Sequence, residues 1–388
     1  MDRRDCLRWM ALTPFLDIGW AHAAKPAEAS GYQRLLILVE LKGGNDALNM
    51  LVPYQDPLYY SLRPQIAVAR DRVLQLSDAA GLHPSMQTLM PLWQSGELAL
   101  VQGLGYPQGN LSHFRSIEIW DTASRSDEYL QQGWLARLFA QSAPPRSFAA
   151  DGVIIGSSEI GPLEGIGPRA IVLSDPDQFV RQARLLGEAQ NKRNPALDHL
   201  RKVEADIAQA ASQLESRPAV AMNTSFPGGQ FGTTVRTACR VLASTGNVAV
   251  LRLTQNGYDT HQNQPDTQAG LLRQLSEGLM ALKSGLQELD MWDRILIMSY
   301  AEFGRRVKEN RSRGTDHGTA ATHLVLGGRV KGGLYGEAPR LDQLDGDGNL
   351  RFSTDFRRLY ATAIQAWWGL PSDAVLQGKF APLPILKA

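Results

Sequence analysis

Three apolar runs in this chain end in the same way, and that shared ending constrains the fold more than any other feature. Leu35 to Leu41 opens onto K-G-G-N-D-A-L-N, Val248 to Leu253 onto T-Q-N-G-Y-D-T-H-Q-N, and Arg294 to Tyr300 onto A-E-F-G-R-R, with G-T-D-H-G shortly after. Runs of β-branched and long aliphatic residues suit strands buried on both faces of a parallel sheet. The expected fold class is therefore α/β, a mostly parallel sheet flanked by helices on both faces. In such sheets, ligands bind in the crevice beyond the carboxyl ends of the strands. The three runs deliver Asp46, Asp259 with His261, and Glu302 with Asp316 and His317 towards one edge, a convergence that we read as a metal site.

Composition narrows the function. The net charge of +1, with no basic block, gives no electrostatic case for nucleic acid. Of two cysteines, Cys6 lies in an apparent leader and Cys239 in a helical pattern, which suits a buried, inert thiol. The first 24 residues carry Arg3 and Arg4, a moderately apolar stretch from Trp9 to Trp20, and small residues at Ala21, Ala23 and Ala24. They resemble a twin-arginine export signal, which implies the twin-arginine export machinery as a partner and a periplasmic or otherwise exported destination. Asp17 and Pro14 interrupt the apolar region, and Cys6 replaces the usual Phe. Past the leader, nothing reaches the length and apolarity of a membrane span.

Along the chain, Gly43 and Gly44 permit a sharp turn that faces Asn45, Asp46 and Asn49 back over the first strand end. His83 marks a turn entering a helix. A second strand, Leu98 to Gln102, leads through a Gly-rich loop to Asn110, Ser112 and His113 at a helix start, where free N–H groups and a hydroxyl suit an anion. The plain alternative makes Ser112 an N-cap only. D-G-V-I-I-G and R-A-I-V-L read as short strands or a flap, and Leu197, Leu200, Val203, Ile207 and Leu214 as an amphipathic helix bearing a solvent-facing His199. Glu215 to Gly232 reads as a linker or mobile loop. Leu272, Leu275, Leu279, Leu282, Leu286 and Leu289 mark a crossover helix before the Glu302 strand. His323 begins another strand and suits a supporting role. L-D-Q-L-D-G-D-G-N resembles a calcium loop but lacks its terminal Glu.

Hard carboxylate oxygens combined with neutral imidazole suit one or two divalent ions, with zinc, manganese, magnesium and calcium all open. Two ions side by side can bind one oxyanion and stabilise a leaving oxygen. Against this stands a set of buried salt bridges and caps.

G-G-N-D-A-L-N, L-S-H-F, G-Y-D-T-H-Q-N-Q, A-E-F-G-R-R, G-T-D-H-G-T-A and D-F-R-R-L-Y-A-T resemble, along nearly all the chain after the leader, an uncharacterised family of exported bacterial proteins. That family is considered related to the sulfatase and alkaline phosphatase superfamily. The resemblance implies one alkaline phosphatase-like α/β domain over 25–388. It also implies Asp46, Asp259 and His261 on metal and Ser112 as nucleophile; the convergence of strand ends adds Glu302, Asp316 and His317 as ligands, with His113 beside Ser112 and Arg305 on the anion. The superfamily usually separates the Asp259–His261 pair by more residues, and commonly has Asp-His where this chain has Glu302 and Phe303. The implied activity is hydrolysis of phosphate or sulfate esters of a small molecule or glycan. The alternatives are a non-catalytic envelope protein binding a glycan, anion or protein partner, and a metal-free serine hydrolase, for which no nucleophile-elbow sequence is present. Replacing Arg3 and Arg4 together by Lys should leave precursor in the cytoplasm; normal delivery of that variant on cell fractionation would remove the export assignment.

Overall fold

The computed structural model describes residues 30–173, 221–245 and 247–387. The leader, the amphipathic stretch with Leu197 and His199, and the start of the linker expected from Glu215 lie outside the described residues. The strands are β1 (Leu35–Lys42), β2 (Leu51–Val52), β3 (Leu74–Gln75), β4 (Gly81–Leu82), β5 (Leu98–Gly105), β6 (Ala150–Ile155), β7 (Ala170–Leu173), β8 (Val248–Asn256), β9 (Ile295–Tyr300), β10 (Ala321–Leu326), β11 (Gly333–Tyr335) and β12 (Thr354–Asp355). The α-helices are α1 (Ala47–Met50), α2 (Pro57–Leu62), α3 (Met90–Gln94), α4 (His113–Thr122), α5 (Trp134–Gln141), α6 (Gly229–Thr245), α7 (Gln264–Glu288) and α8 (Arg357–Ala361).

A nine-stranded sheet runs β11-β5-β10-β9-β1-β8-β6-β7, with β12 also on β5, and a small sheet β2-β4-β3 stands beside it. The three apolar runs are neighbours: β1 pairs in parallel with β8 on one side and β9 on the other. Among the described strands of the nine-stranded sheet, only β10 runs against its neighbours, β5 and β9. The carboxyl ends of β1, β5, β8 and β9 and the amino end of β10 therefore share one edge.

Both faces of β1 are buried, which explains its unbroken apolar run. Ile37, Val39 and Leu41 join the apolar stripe of α7, with Leu272, Leu275, Leu279, Leu282 and Leu286, and residues of α6. Leu36 and Leu38 join Trp120, Trp134, Tyr360 and Trp367 on the other face. Each such buried side chain contributes roughly 1.5–3 kcal/mol of transfer free energy. Cys239 is fully buried on α6, and burial pushes its thiol up to about 12, so it is inert.

Several elements differ from the sequence expectation. β5 and β8 run three residues further than expected, because Leu104 and Gly105 of β5 and Thr254 to Asn256 of β8 keep pairing in the sheet. The strands 150–155 and 170–173 are parallel members of the sheet rather than a flap. Part of the expected linker is helix, since α6 begins at Gly229. His323 lies inside β10, fully buried against the Trp120 ring edge, with Nδ1 3.4 Å from Ser299 Oγ and Nε2 without a partner among the described residues. It supports the sheet rather than the edge.

Burial lowers the His323 imidazole from 6.5 to about 3, so it stays neutral in the fold while the unfolded chain takes up its proton near 6.5. Stability from this group is complete above about pH 6.5 and falls by roughly 1.4 kcal/mol per pH unit down to the folded value. His323→Phe should flatten the loss of melting temperature of metal-free protein between pH 6.5 and 4; an unchanged slope would show that His323 is not the group titrating.

Candidate metal centre

The loops beyond β1, β8 and β9 approach so closely that side chains are excluded at the turn. Gly43 has φ +116°, and a Cβ there would stand 2.3 Å from Asp259 N; Gly44 has φ +78°, and its Cβ would meet the Phe303 ring at 2.5 Å. Both positions need glycine on two counts, conformation and space. β8 stops at Asn256 because Gly257, at φ +108°, turns the chain and Tyr258 N donates to Lys42 O. Asp259 and His261 thus project from the loop beyond the strand end.

Arg305 holds these loops together. Its guanidinium is buried, with Nε donating to Gly44 O (2.7 Å), Nη1 to Thr315 O (2.9 Å), and Nη2 to Tyr258 O (3.1 Å), Gly43 O and Asp259 Oδ1 (2.6 Å). An isolated bridge pairs Arg305 with His317, bringing the chain before β10 to the same place.

At the edge, three imidazoles surround the Asp259 carboxylate. His261 Nε2 lies 3.1 Å and His317 Nε2 3.4 Å from Oδ1, and His113 Nε2 lies 3.5 Å from Oδ2. The candidate ligand atoms of His113, Asp259 and His317 all fall within 4.8 Å of one another, and His261 Nε2 is 2.9 Å from His317 Nε2. Each ring is oriented through its other nitrogen: His113 Nδ1 to Glu302 Oε1 (2.7 Å), His317 Nδ1 to Leu111 O (2.8 Å), and His261 Nδ1 to Asp316 Oδ1 (3.3 Å). A carbonyl only accepts, so His317 Nδ1 carries the proton and the neutral ring turns a lone pair inward. The same argument applied to the two carboxylates leaves inward lone pairs on His113 and His261. Facing lone pairs and a carboxylate suit a cation between them, and the N/O donor set suits a zinc-type ion.

The electrostatics differ between the rings. The hydrogen bond to Glu302 raises the His113 imidazole above its ordinary value, which favours its protonated form and makes a bound cation compete with that proton. Burial lowers His317. For Asp259 burial pushes upward, but the Arg305 hydrogen bond and charge, then His261 and His113, hold the carboxyl below the usual range. Asp316 is likewise held down, against burial, by Asn310 and His261.

Other expected site residues are placed differently. Asp46 is buried and capped onto α1: Oδ1 accepts from Leu48 N (3.2 Å), while Arg63 grips both oxygens (2.5 and 3.1 Å) and Gln264 Nε2 donates to Oδ2. Its carboxylate faces this network, not the imidazoles. Glu302 is buried, accepting from Gly43 N (2.9 Å) and His113, with Oε2 unpartnered among the described residues. Ser112 precedes α4 with an exposed hydroxyl that caps nothing, one residue from the Leu111 carbonyl that orients His317. Arg305 has no donor directed at a bound anion. In sequence, Arg63 is only part of an aromatic loop that could wall a pocket or cover the sheet, Gln264 carries no signal, and a backbone carbonyl such as that of Leu111 leaves no trace in a residue code.

Residues 33–378 match the family described as a protein of unknown function, DUF1501. The chain belongs to this family. No match is found among curated proteins. Among solved structures, it is similar to Ps i-CgsB (10% identity, 90% of this chain and 75% of that one, TM-score 0.46). It is also similar to the PsFucS1 sulfatase from Pseudoalteromonas sp. (10% identity, 90% and 70%, TM-score 0.41). A third is a protein in the alkaline phosphatase superfamily from Vibrio parahaemolyticus (11% identity, 78% and 62%, TM-score 0.37). None superposes closely enough to transfer a residue role.

Two variants separate the buried network from the imidazole cluster. Asp46→Ala strands the Arg63 charge and should cost about 3–5 kcal/mol of stability while the folded protein keeps its metal. Asp259→Ala should abolish metal binding and, because Arg305 keeps its four carbonyl acceptors, lower the melting temperature of stripped protein less than Asp46→Ala does. Metal content and melting curves measured on both decide it, and the reverse pattern would place the ion at Asp46.

Proposed function

We propose that this protein is an exported, metal-dependent hydrolase of phosphate or sulfate esters. The observation that carries this is the inward convergence of His113, His261 and His317 on Asp259, each ring oriented from behind by an acceptor. These four side chains would hold the ion, and Glu302 and Asp316 would orient two of the rings. A bound divalent ion supplies charge stabilisation for an ester oxygen. Ser112 offers the attacking hydroxyl. Its place before α4 leaves first-turn N–H groups without a side-chain cap, and these suit the anionic end of an ester.

A second reading, a non-catalytic envelope protein that binds a glycan, anion or protein partner, draws support from Arg305. Its guanidinium is occupied by four carbonyls and Asp259, so the cation expected to grip the anion is committed to the fold.

Purified protein should contain about one to two equivalents of divalent metal, and chelation should lower its melting temperature by mass action. Asp316→Asn should weaken metal affinity by about 10–100-fold. A screen of phosphate and sulfate esters with added zinc, manganese, magnesium or calcium should reveal turnover that Ser112→Ala lowers. Bound metal without turnover of any ester would favour the second reading; no metal under any condition would overturn the site itself.

A further inference from the structure

One cavity on the same sheet edge has no part in the metal centre. The acidic stretch after β11 touches it only through Gln343. Asp345 Oδ1 accepts from Asp347 N (2.9 Å) and Asn349 N (2.8 Å), and Oδ2 from Asn349 Nδ2 (3.0 Å), so both oxygens close the turn. The cavity encloses ≈ 260 Å³. Leu48, Leu51 and Ala320 give it an apolar floor, and Glu337, Gln343 and Arg351 line its sides. Phe352 stands at the rim, 37% exposed, and presents part of its ring to solvent.

The lining has the chemistry of a carbohydrate site. A sugar ring has apolar C–H faces that stack on an aromatic ring, and hydroxyls that donate and accept together. Glu337 accepts, Arg351 donates and Gln343 does both. Arg351 spends only Nε within the described fold, on Leu344 O (3.2 Å). The volume lies below the range of drug-sized pockets, which suits a single ring.

Position links the cavity to the imidazole cluster. Ala320 is three residues from His317, at most about 10 Å of chain. Between them Thr319 donates to Leu350 O, beside the cavity, and its methyl faces Gly109 in the loop leading to Ser112. The geometry points to a saccharide subsite: the cavity takes one sugar ring of a glycan whose ester lies at the metal centre. The ester's location rests on the hydrolase reading above; sugar binding in the cavity does not.

The test is calorimetric titration of the full chain with size-defined hexasaccharides of glucan, chitin, galacturonan and heparin type, before and after metal removal. At least one should bind, bind equally to stripped protein, and bind ten-fold or more weakly to Phe352→Ala. Ala338→Trp, which fills the cavity from its exposed rim, should do the same while metal content stays at the wild-type level. Failure of all four to bind, or binding unaffected by both variants, would overturn the subsite. Sugar binding in a protein that never takes up metal would keep the sugar-binding cavity and remove the hydrolase reading.

Discussion

The site depends on one buried guanidinium. Arg305 reaches Gly43, Gly44, Tyr258, Asp259 and Thr315, so a single side chain joins the loops that follow β1 and β8 to the segment that precedes β10. A buried charge of this kind persists only when its donors are met. Because the acceptors are mostly carbonyls, the loops must keep one backbone arrangement to satisfy it. The Asp259 carboxylate is aimed by the same contact, and rigid aim is what ligand geometry requires.

Arg305 is not alone. Arg63 clasps Asp46 beneath α1, and Arg252 lies fully buried between Glu40 (2.8 Å), Tyr300 OH (2.8 Å) and the Glu159 carbonyl. Nearby, burial pushes the Asp121 carboxyl up to about 8, with Arg252 opposing and Glu40 adding to it. A sheet with this many ionic groups near its carboxyl edge sacrifices apolar packing there, and so resists slippage of strands whose partners are charge-specific.

Much of this was legible in the residues. β1, β8 and β9 announce themselves by unbroken aliphatic runs, and Asp259, His261, Glu302 and His317 by following or facing their ends. What stayed hidden is direction. Asp46 sits at a strand end like Asp259, yet its carboxylate turns to Arg63, and that choice depends on where a loop from another part of the chain packs. Arg305 looks in sequence like an anion grip, because a motif shows a charge and not its partners. The helical period of α7 was readable because one stripe meets one sheet face. The end of β8 was less so, since Gly257 stops the strand through a close approach to β1.

β10 is the one strand that enters the sheet against the flow. The chain leaving β9 therefore doubles back on itself, and Glu302, Arg305, Asp316 and His317 belong to a single local reversal. Closing a short excursion loses less entropy than joining distant segments, and local contacts form faster. Of the four side chains that face one another, only His317, with its neighbours Glu302, Arg305 and Asp316, lies within this reversal, whereas His113, Asp259 and His261 come from remote parts of the chain. The imidazole cluster is therefore complete only where the segments carrying His113, Asp259 and His261 pack against that reversal.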